Sequence, residues 1–199
     1  MQPDKRRSIL AATKRLIAER GYSDVNLDAV CELAACSKSA IYACFGNKDG
    51  LLLALVDEAA GSIAQAQHAL HLPNLDTTAA LRRYAELMLE RALATSHVAI
   101  VQAAIAARAR DPEPARHYGN VALATSASAL AQFLAAKTAS GELAVDDPPV
   151  AAQQFHGLVL GWELFAAVVD PEQALPVASR DTRLDAAVDV FVARYARPS

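Results

Sequence analysis

Residues 34 to 51 read AACSKSAIYACFGNKDGL, and the punctuation of this stretch decides the architecture. Ser37 has the side chain of a helix N-cap and starts a short helix from Lys38 to about Phe45, after which Asn47 caps another. Upstream, Asn26 caps a helix whose face is Leu27, Val30, Leu33 and Ala34, with Asp28 favourably placed in its first turn. Two short helices joined by a tight connection, the second opening at a Ser cap, have the geometry of a helix-turn-helix.

Working outward, the periodicity is helical nearly everywhere, and no run of clean apolar/polar alternation exceeds a few residues. The chain therefore reads as all-α. Lys5 to Arg20 sets Ile9, Thr13, Leu16 and Ile17 on one stripe, and Gly21 stops that helix. A long helix from Lys48 to about Leu70 ends before Pro73. Further helices are expected at 76–94, 96–110, 112–140, 149–169 and 182–196, with the loop 170–181 holding Pro171 and Pro176. The expected division is a head over 1–50 and a body over 51–199.

Of 199 residues, 53% are apolar, 21% charged and 6% aromatic, which excludes a disordered tail or a polycation. The charge is unevenly placed. Residues 1–50 carry eight Lys/Arg against six Asp/Glu, whereas residues 51–199 carry eleven against sixteen. A head that tolerates polyanions on a body that does not is what a DNA-binding unit attached to a non-DNA-binding one looks like. Cys31, Cys36 and Cys44 are an odd count crowded together, without a secretory h-region, so a cytoplasmic protein with reduced thiols is expected. Structural zinc would need a fourth ligand, and the nearest histidine is His68, so no metal and no cofactor is expected. The best membrane candidate, 155–169, includes His156 and Glu163 and is shorter than the ~20 residues a span needs.

The run from Ala34 to Leu51, preceded by Arg20-Gly21-Tyr22 and the Asn26 cap, resembles the TetR family of transcriptional regulators. The spacing Gly21-Tyr22, Asn26, Ser37, Ile41-Tyr42, Phe45, Lys48, Leu51 carries that resemblance. The remaining chain looks like the AefR-like C-terminal type, through Ser140-Gly141-Glu142-Leu143, Asp146-Asp147-Pro148, Gln154-Phe155 and Gly157-Leu158. Three departures stand out: Ala35 where the family turn commonly has Gly, Ala40 where a phosphate-binding Thr is common, and Cys44 where a His commonly precedes the Phe. The resemblance implies a homodimeric regulator that binds an operator in double-stranded DNA and responds to a small-molecule effector.

The candidate DNA-binding residues are Asn26, Ser37, Lys38, Ser39, Tyr42, Cys44 and Lys48. Lys38 is the long donor in the first turn of the second short helix, able to reach a guanine edge or a phosphate, against the plainer reading of a solvated lysine. Tyr42 offers a phenol to a phosphate or packs as a core tyrosine. Lys48 opens a helix whose free N–H groups favour a phosphate. Lys5, Arg6 and Arg7 form either a DNA-reaching arm or a solvated end. The cysteines are small apolar fillers or a thiol switch, with Cys44 expected to face DNA.

In the body, Gly157, Gly161, Leu164 and Val168 lie on one stripe of an apolar helix, and Phe155, Val159, Trp162 and Phe165 on or near the other. By resemblance the last two long helices pair with their copies in a dimer, so the glycine stripe is expected at the interface with Val188 and Phe191, and the aromatic stripe inside. An effector pocket would be lined by Tyr84, Met88, Phe133, Phe155, Trp162 and Phe165, with His117, Tyr118, His156 or Glu163 as polar groups, although such stripes are more often plain core. The leading reading is a repressor released by a small, mostly apolar molecule. A module of the same fold that has lost DNA binding is the alternative. An enzyme is disfavoured, since no G-x-S-x-G, H-E-x-x-H or phosphate loop occurs and no catalytic residue is identified.

Overall fold

The computed structural model describes residues 3–72, 75–170 and 177–197. Pro73, Pro171 and Pro176, the expected helix stop and loop prolines, lie outside them. The helices are α1 (Pro3–Arg20), α2 (Leu27–Leu33), α3 (Lys38–Phe45), α4 (Lys48–Ala64), α5 (Thr77–Ala92), α6 (Thr95–Ala107), α7 (Glu113–Tyr118), α8 (Thr125–Ala139), α9 (Pro148–Val169) and α10 (Val177–Tyr195). Among the described residues the fold is all-α, apart from one isolated bridge between Leu143 and Ala196.

The caps act where the sequence puts them. Asn26 Oδ1 accepts from the Ala29 N–H at 2.9 Å, Ser37 Oγ from Ala40 and Asn47 Oδ1 from Gly50, and the structure adds two caps the sequence reading did not name, Asp76 accepting from Ala79 and Asp147 from Val150. Three expectations change. The fourth helix is α-helical only to Ala64 and continues as a tighter 3₁₀ turn through Gln65–His71. The single helix expected over 112–140 is α7, a wide π turn at Gly119–Ala124, and α8. The last helix begins at Val177 rather than Thr182.

The chain packs as two compact units, and they do not divide at residue 50. The first comprises 1–61 with 94–121, so α6 and α7 join the head. Its core gathers Ile9, Leu16 and Ile17 of α1, Val30 of α2, Ile41 of α3, Leu52 and Leu55 of α4, and Ile100 and Ala104 of α6. The second comprises 62–93 with 122–199. There Tyr84, Phe155, Phe191 and Tyr195 form a ladder of ring contacts, from 6.2 Å between the first two centroids to 4.8 Å between the last two. Ala144 N–H donates to the Tyr195 carbonyl at 2.8 Å and ties the end of α10 to the loop before α9.

Two backbone positions in the head are conformationally demanding. Ala35, between α2 and α3, has φ +48°, where its Cβ crowds the following carbonyl. Gly50, in the first turn of α4, sits so close to the Phe45 carbonyl that a Cβ would collide with that oxygen. Ala35→Gly is expected to stabilise the head by about 0.5–1 kcal/mol, because relief of the left-handed strain outweighs the added freedom of the unfolded chain. Gly50→Ala is expected to cost about 1–3 kcal/mol, since the obstacle is backbone and cannot rotate away. Urea unfolding of both variants checks the signs, and the opposite order would misplace the strain.

Candidate functional site

Helix α3 has one buried anchor, Ile41, and its half-buried Cys44 and Phe45 turn toward the same core. Lys38, Ser39, Tyr42 and Ala43 are left on the outward face. That face presents an ammonium and two hydroxyls, a donor set suited to phosphate oxygens and base edges. Lys38 Nζ lies 2.7 Å from Asp28 Oδ1, and with both side chains well exposed the pair is worth little and exchanges readily for another anion. Asn26 and Ser37 use their side-chain oxygens as caps, and Ser37 Oγ lies 2.8 Å from Ser39 Oγ.

Two expected DNA contacts are placed differently. Cys44 follows Ile41 by three residues, which brings it round to the core side, so it is half-buried rather than outward-facing. The Lys48 ammonium donates to the Tyr22 carbonyl at 3.1 Å and stands 4.5 Å over the Tyr22 ring, so its side chain fastens the α1–α2 loop to the start of α4. Burial, then the nearby Arg110 charge, lowers its pKa. Arg110 also pairs with Asp49, which accepts from Tyr22 Oη at 3.4 Å. Burial first and Asp49 second push the Tyr22 phenol up to about 12. Arg110 escaped sequence reading because its partner is 61 residues away. Lys5, Arg6 and Arg7 are no arm: they lie in α1, with Arg6 over the Phe45 ring at 5.2 Å and Arg7 beside Asp4.

The expected effector residues separate. Tyr84, Met88, Phe133 and Phe155 are buried in the second unit, where Tyr84 Oη lies 2.8 Å from His156 Nε2. Burial holds the imidazole down to about 4 and raises the phenol above its ordinary value. His117 and Tyr118 belong to the first unit, His117 beside Asp57 at 3.0 Å and Tyr118 2.9 Å from the buried His97. Trp162 and Phe165 are not interior at all, being 64% and 65% exposed. A separate open groove of about 460 Å³ runs along Ala131, Gln132 and Ala135 of α8 and Pro149 and Gln153 of α9.

The exposed face of α9 runs through Gly157, Leu158, Gly161, Trp162, Phe165 and Val169, so glycines and large aromatics share one side. Leu164 and Val168 are half-buried at its flank. On α10, Val188 and Phe191 are each 2% exposed and belong to the core, whereas Val190 is outward. Both, expected at the interface, are largely enclosed in their own protomer, Phe191 at the floor of an open groove between Leu158 and Val190. Among the described residues no helix is long and apolar enough to cross a membrane, and no group of three or more His, Cys, Asp or Glu is placed to hold a metal ion.

A family model for bacterial regulatory proteins of the tetR family matches residues 9–55, and one for the AefR-like transcriptional repressor C-terminal domain matches residues 79–197. Among solved structures the chain is similar in fold to a TetR-family transcriptional regulator from Mesorhizobium loti, with TM-score 0.89 at 20% identity over 99% of this chain and 100% of that one. It is also similar to the flavonoid-responsive regulator FrrA (TM-score 0.70, 28% identity, 98% of each chain). A third is SmeT, the repressor of the Stenotrophomonas maltophilia multidrug efflux pump SmeDEF (TM-score 0.68, 21% identity, 98% of this chain and 94% of that one). No curated protein matches in sequence.

The buried histidines carry a pH dependence. Burial pushes His97 down to about 4, against ~6.5 in an unfolded chain, so the folded state takes up its proton less readily. Its contribution is complete above about pH 6.5 and is lost as pH falls toward 4, on the order of 3 kcal/mol. Urea unfolding at pH 7 and pH 4.5 is expected to show that loss, with a shallower difference in His97→Gln. An equal difference in the variant would mean that the imidazole protonates freely in the folded protein.

Proposed function

Because the chain belongs to the TetR family of transcriptional regulators, with an AefR-like C-terminal domain, we propose that it is a homodimeric repressor that leaves a palindromic operator when a small, mostly apolar molecule binds. The observation that carries the DNA half of this reading is α3 itself: capped by Ser37, pinned by Ile41, with Lys38, Ser39 and Tyr42 directed outward. Tyr42 and Ser39 donate to phosphates, Lys38 reads a base edge or a phosphate, and Lys48 holds the loop behind them. The effector is placed among Tyr84, Met88, Phe133 and Phe155, which are close-packed in the second unit, so its binding has to part them and open the Tyr84–His156 hydrogen bond as its polar contact. The module without DNA binding is the second reading, favoured by the strained Ala35 at the turn.

Dimerisation is assigned to the exposed apolar face of α9 with Val190 of α10. A groove of about 350 Å³, lined by Gln154, Leu158, Val190 and Arg194, lies along the same surface. Large exposed apolar surface rimmed by polar groups marks a contact surface, and a second copy satisfies it symmetrically.

Two measurements test these assignments. Fluorescence anisotropy on duplexes from the chain's own upstream region is expected to show tight, steeply salt-dependent binding to one palindrome. Lys38→Ala should lose about 1–3 kcal/mol of discrimination at one base pair if the contact is bidentate. Equal, weak binding to every fragment would favour the second reading. A Cβ on Gly161 meets nothing within 4 Å in the protomer, so Gly161→Leu tests the interface without disturbing the fold. Sedimentation should show a monomer with little affinity for the palindrome, and a surviving dimer would move the interface elsewhere.

A further inference from the structure

The end of α2 is a Schellman turn. Ala35 takes the left-handed position, and the Cys36 N–H reaches back to the Cys31 carbonyl at 3.0 Å. This motif puts the residues at its two ends side by side, and here both are cysteines. With N–Cα ~1.5 Å and Cα to carbonyl oxygen ~2.4 Å, that hydrogen bond caps the Cα–Cα separation at roughly 7 Å, the upper edge of the range that disulfides span. Both thiols are free and half-buried against the head core, so they remain reachable by a small oxidant. Burial, reinforced by the adjoining Cys31 thiol, pushes Cys36 up.

We propose that Cys31 and Cys36 are a redox-modifiable dithiol, which a hydroperoxide converts into a disulfide that staples the connection between α2 and α3. The Cys31 thiolate attacks the terminal oxygen of the hydroperoxide, whose O–O bond breaks; that oxygen stays on sulfur as the sulfenic acid, and the other leaves and takes up the proton given up by the Cys31 thiol, as alcohol or water. Cys36 sulfur then attacks the sulfenic sulfur, the S–S bond forms, and hydroxide leaves with the Cys36 proton as water. Two electrons pass from the sulfurs to the peroxide. The closed loop is six residues long and encloses Ala35, so the bond holds the strained turn in the conformation it already has. This inference stands on the turn alone and is independent of what the head binds.

Trypsin separates the thiols conveniently, leaving Cys31 and Cys36 on the peptide 21–38 and Cys44 on 39–48. Reduced full-length protein treated with hydrogen peroxide and then alkylated should yield an unalkylated 21–38 peptide two hydrogens lighter than its dithiol form, with 39–48 alkylated. The melting temperature should rise by roughly 5 °C and return on reduction. Cys44→Ser should keep both effects, and Cys31→Ser, Cys36→Ser and Cys36→Ala should lose both. A disulfide that includes Cys44, links only between chains, dithiols that still alkylate after treatment, or a bond that forms without raising the melting temperature would each overturn the proposal.

Discussion

Helix α3 exists because Ile41 is fully buried. Eight residues cannot hold a helix in water, since nucleation is costly and few hydrogen bonds repay it. The Ser37 cap satisfies one end, and Ile41, packed in the core with residues of α1, α2 and α4, supplies the tertiary contact that keeps the helix folded. The same contact fixes its rotation. With Ile41 inward, the 100° step per residue sends Ser39 to the far side and Tyr42 to the flank and turns Cys44 and Phe45 back, while Lys38, the first residue of the helix, is left exposed at its end. The chemistry of the outward face is thus a consequence of one apolar anchor.

Much of this was legible because it is local. Asn26, Ser37 and Asn47 cap helices by accepting from N–H groups three residues on, and a three-residue relation can be read directly from the chain. The head motif was legible too, its spacing matching the family. What failed to show was anything set by a partner distant in sequence. Lys48 looked like a free donor at a helix start, yet one of its N–H groups is given to the carbonyl of Tyr22, 26 residues earlier. The inclusion of α6 and α7 in the first unit depends on Ile100 and Ala104 finding α1, which periodicity alone cannot indicate.

Helix α9 shows a different failure. It is apolar all round, so sequence marks no interior side, and residue size misleads. The buried stripe is Ala151, Ala152, Phe155, Val159, Ala166 and Ala167, mostly small, because α8 packs closely there. Trp162 and Phe165, which bulk alone would send inside, instead share the outer face with Gly157 and Gly161. Small and large residues together on one exposed face give it relief, knobs beside hollows, which suits a self-complementary contact better than a uniform stripe would.

The interior polar groups follow a shared economy of charge. Each unit buries an imidazole against a phenol, His97 with Tyr118 in the first and Tyr84 with His156 in the second, both near 2.9 Å or closer. At neutral pH both members are uncharged, so burial costs only the exchange of hydrogen bonds with water, and the pair satisfies it. Glu163 on α9 is the contrast. Arg183 approaches its Oε1 at 3.1 Å, but in a geometry that makes no hydrogen bond, and neither carboxylate oxygen has one among the described residues. A half-satisfied ion pair beside Leu89, Leu158 and Val159 is a poor source of stability. The cores are therefore held by apolar packing and neutral pairs, and Glu163 is, among the described residues, a buried carboxyl group whose unmet hydrogen bonds packing elsewhere must offset.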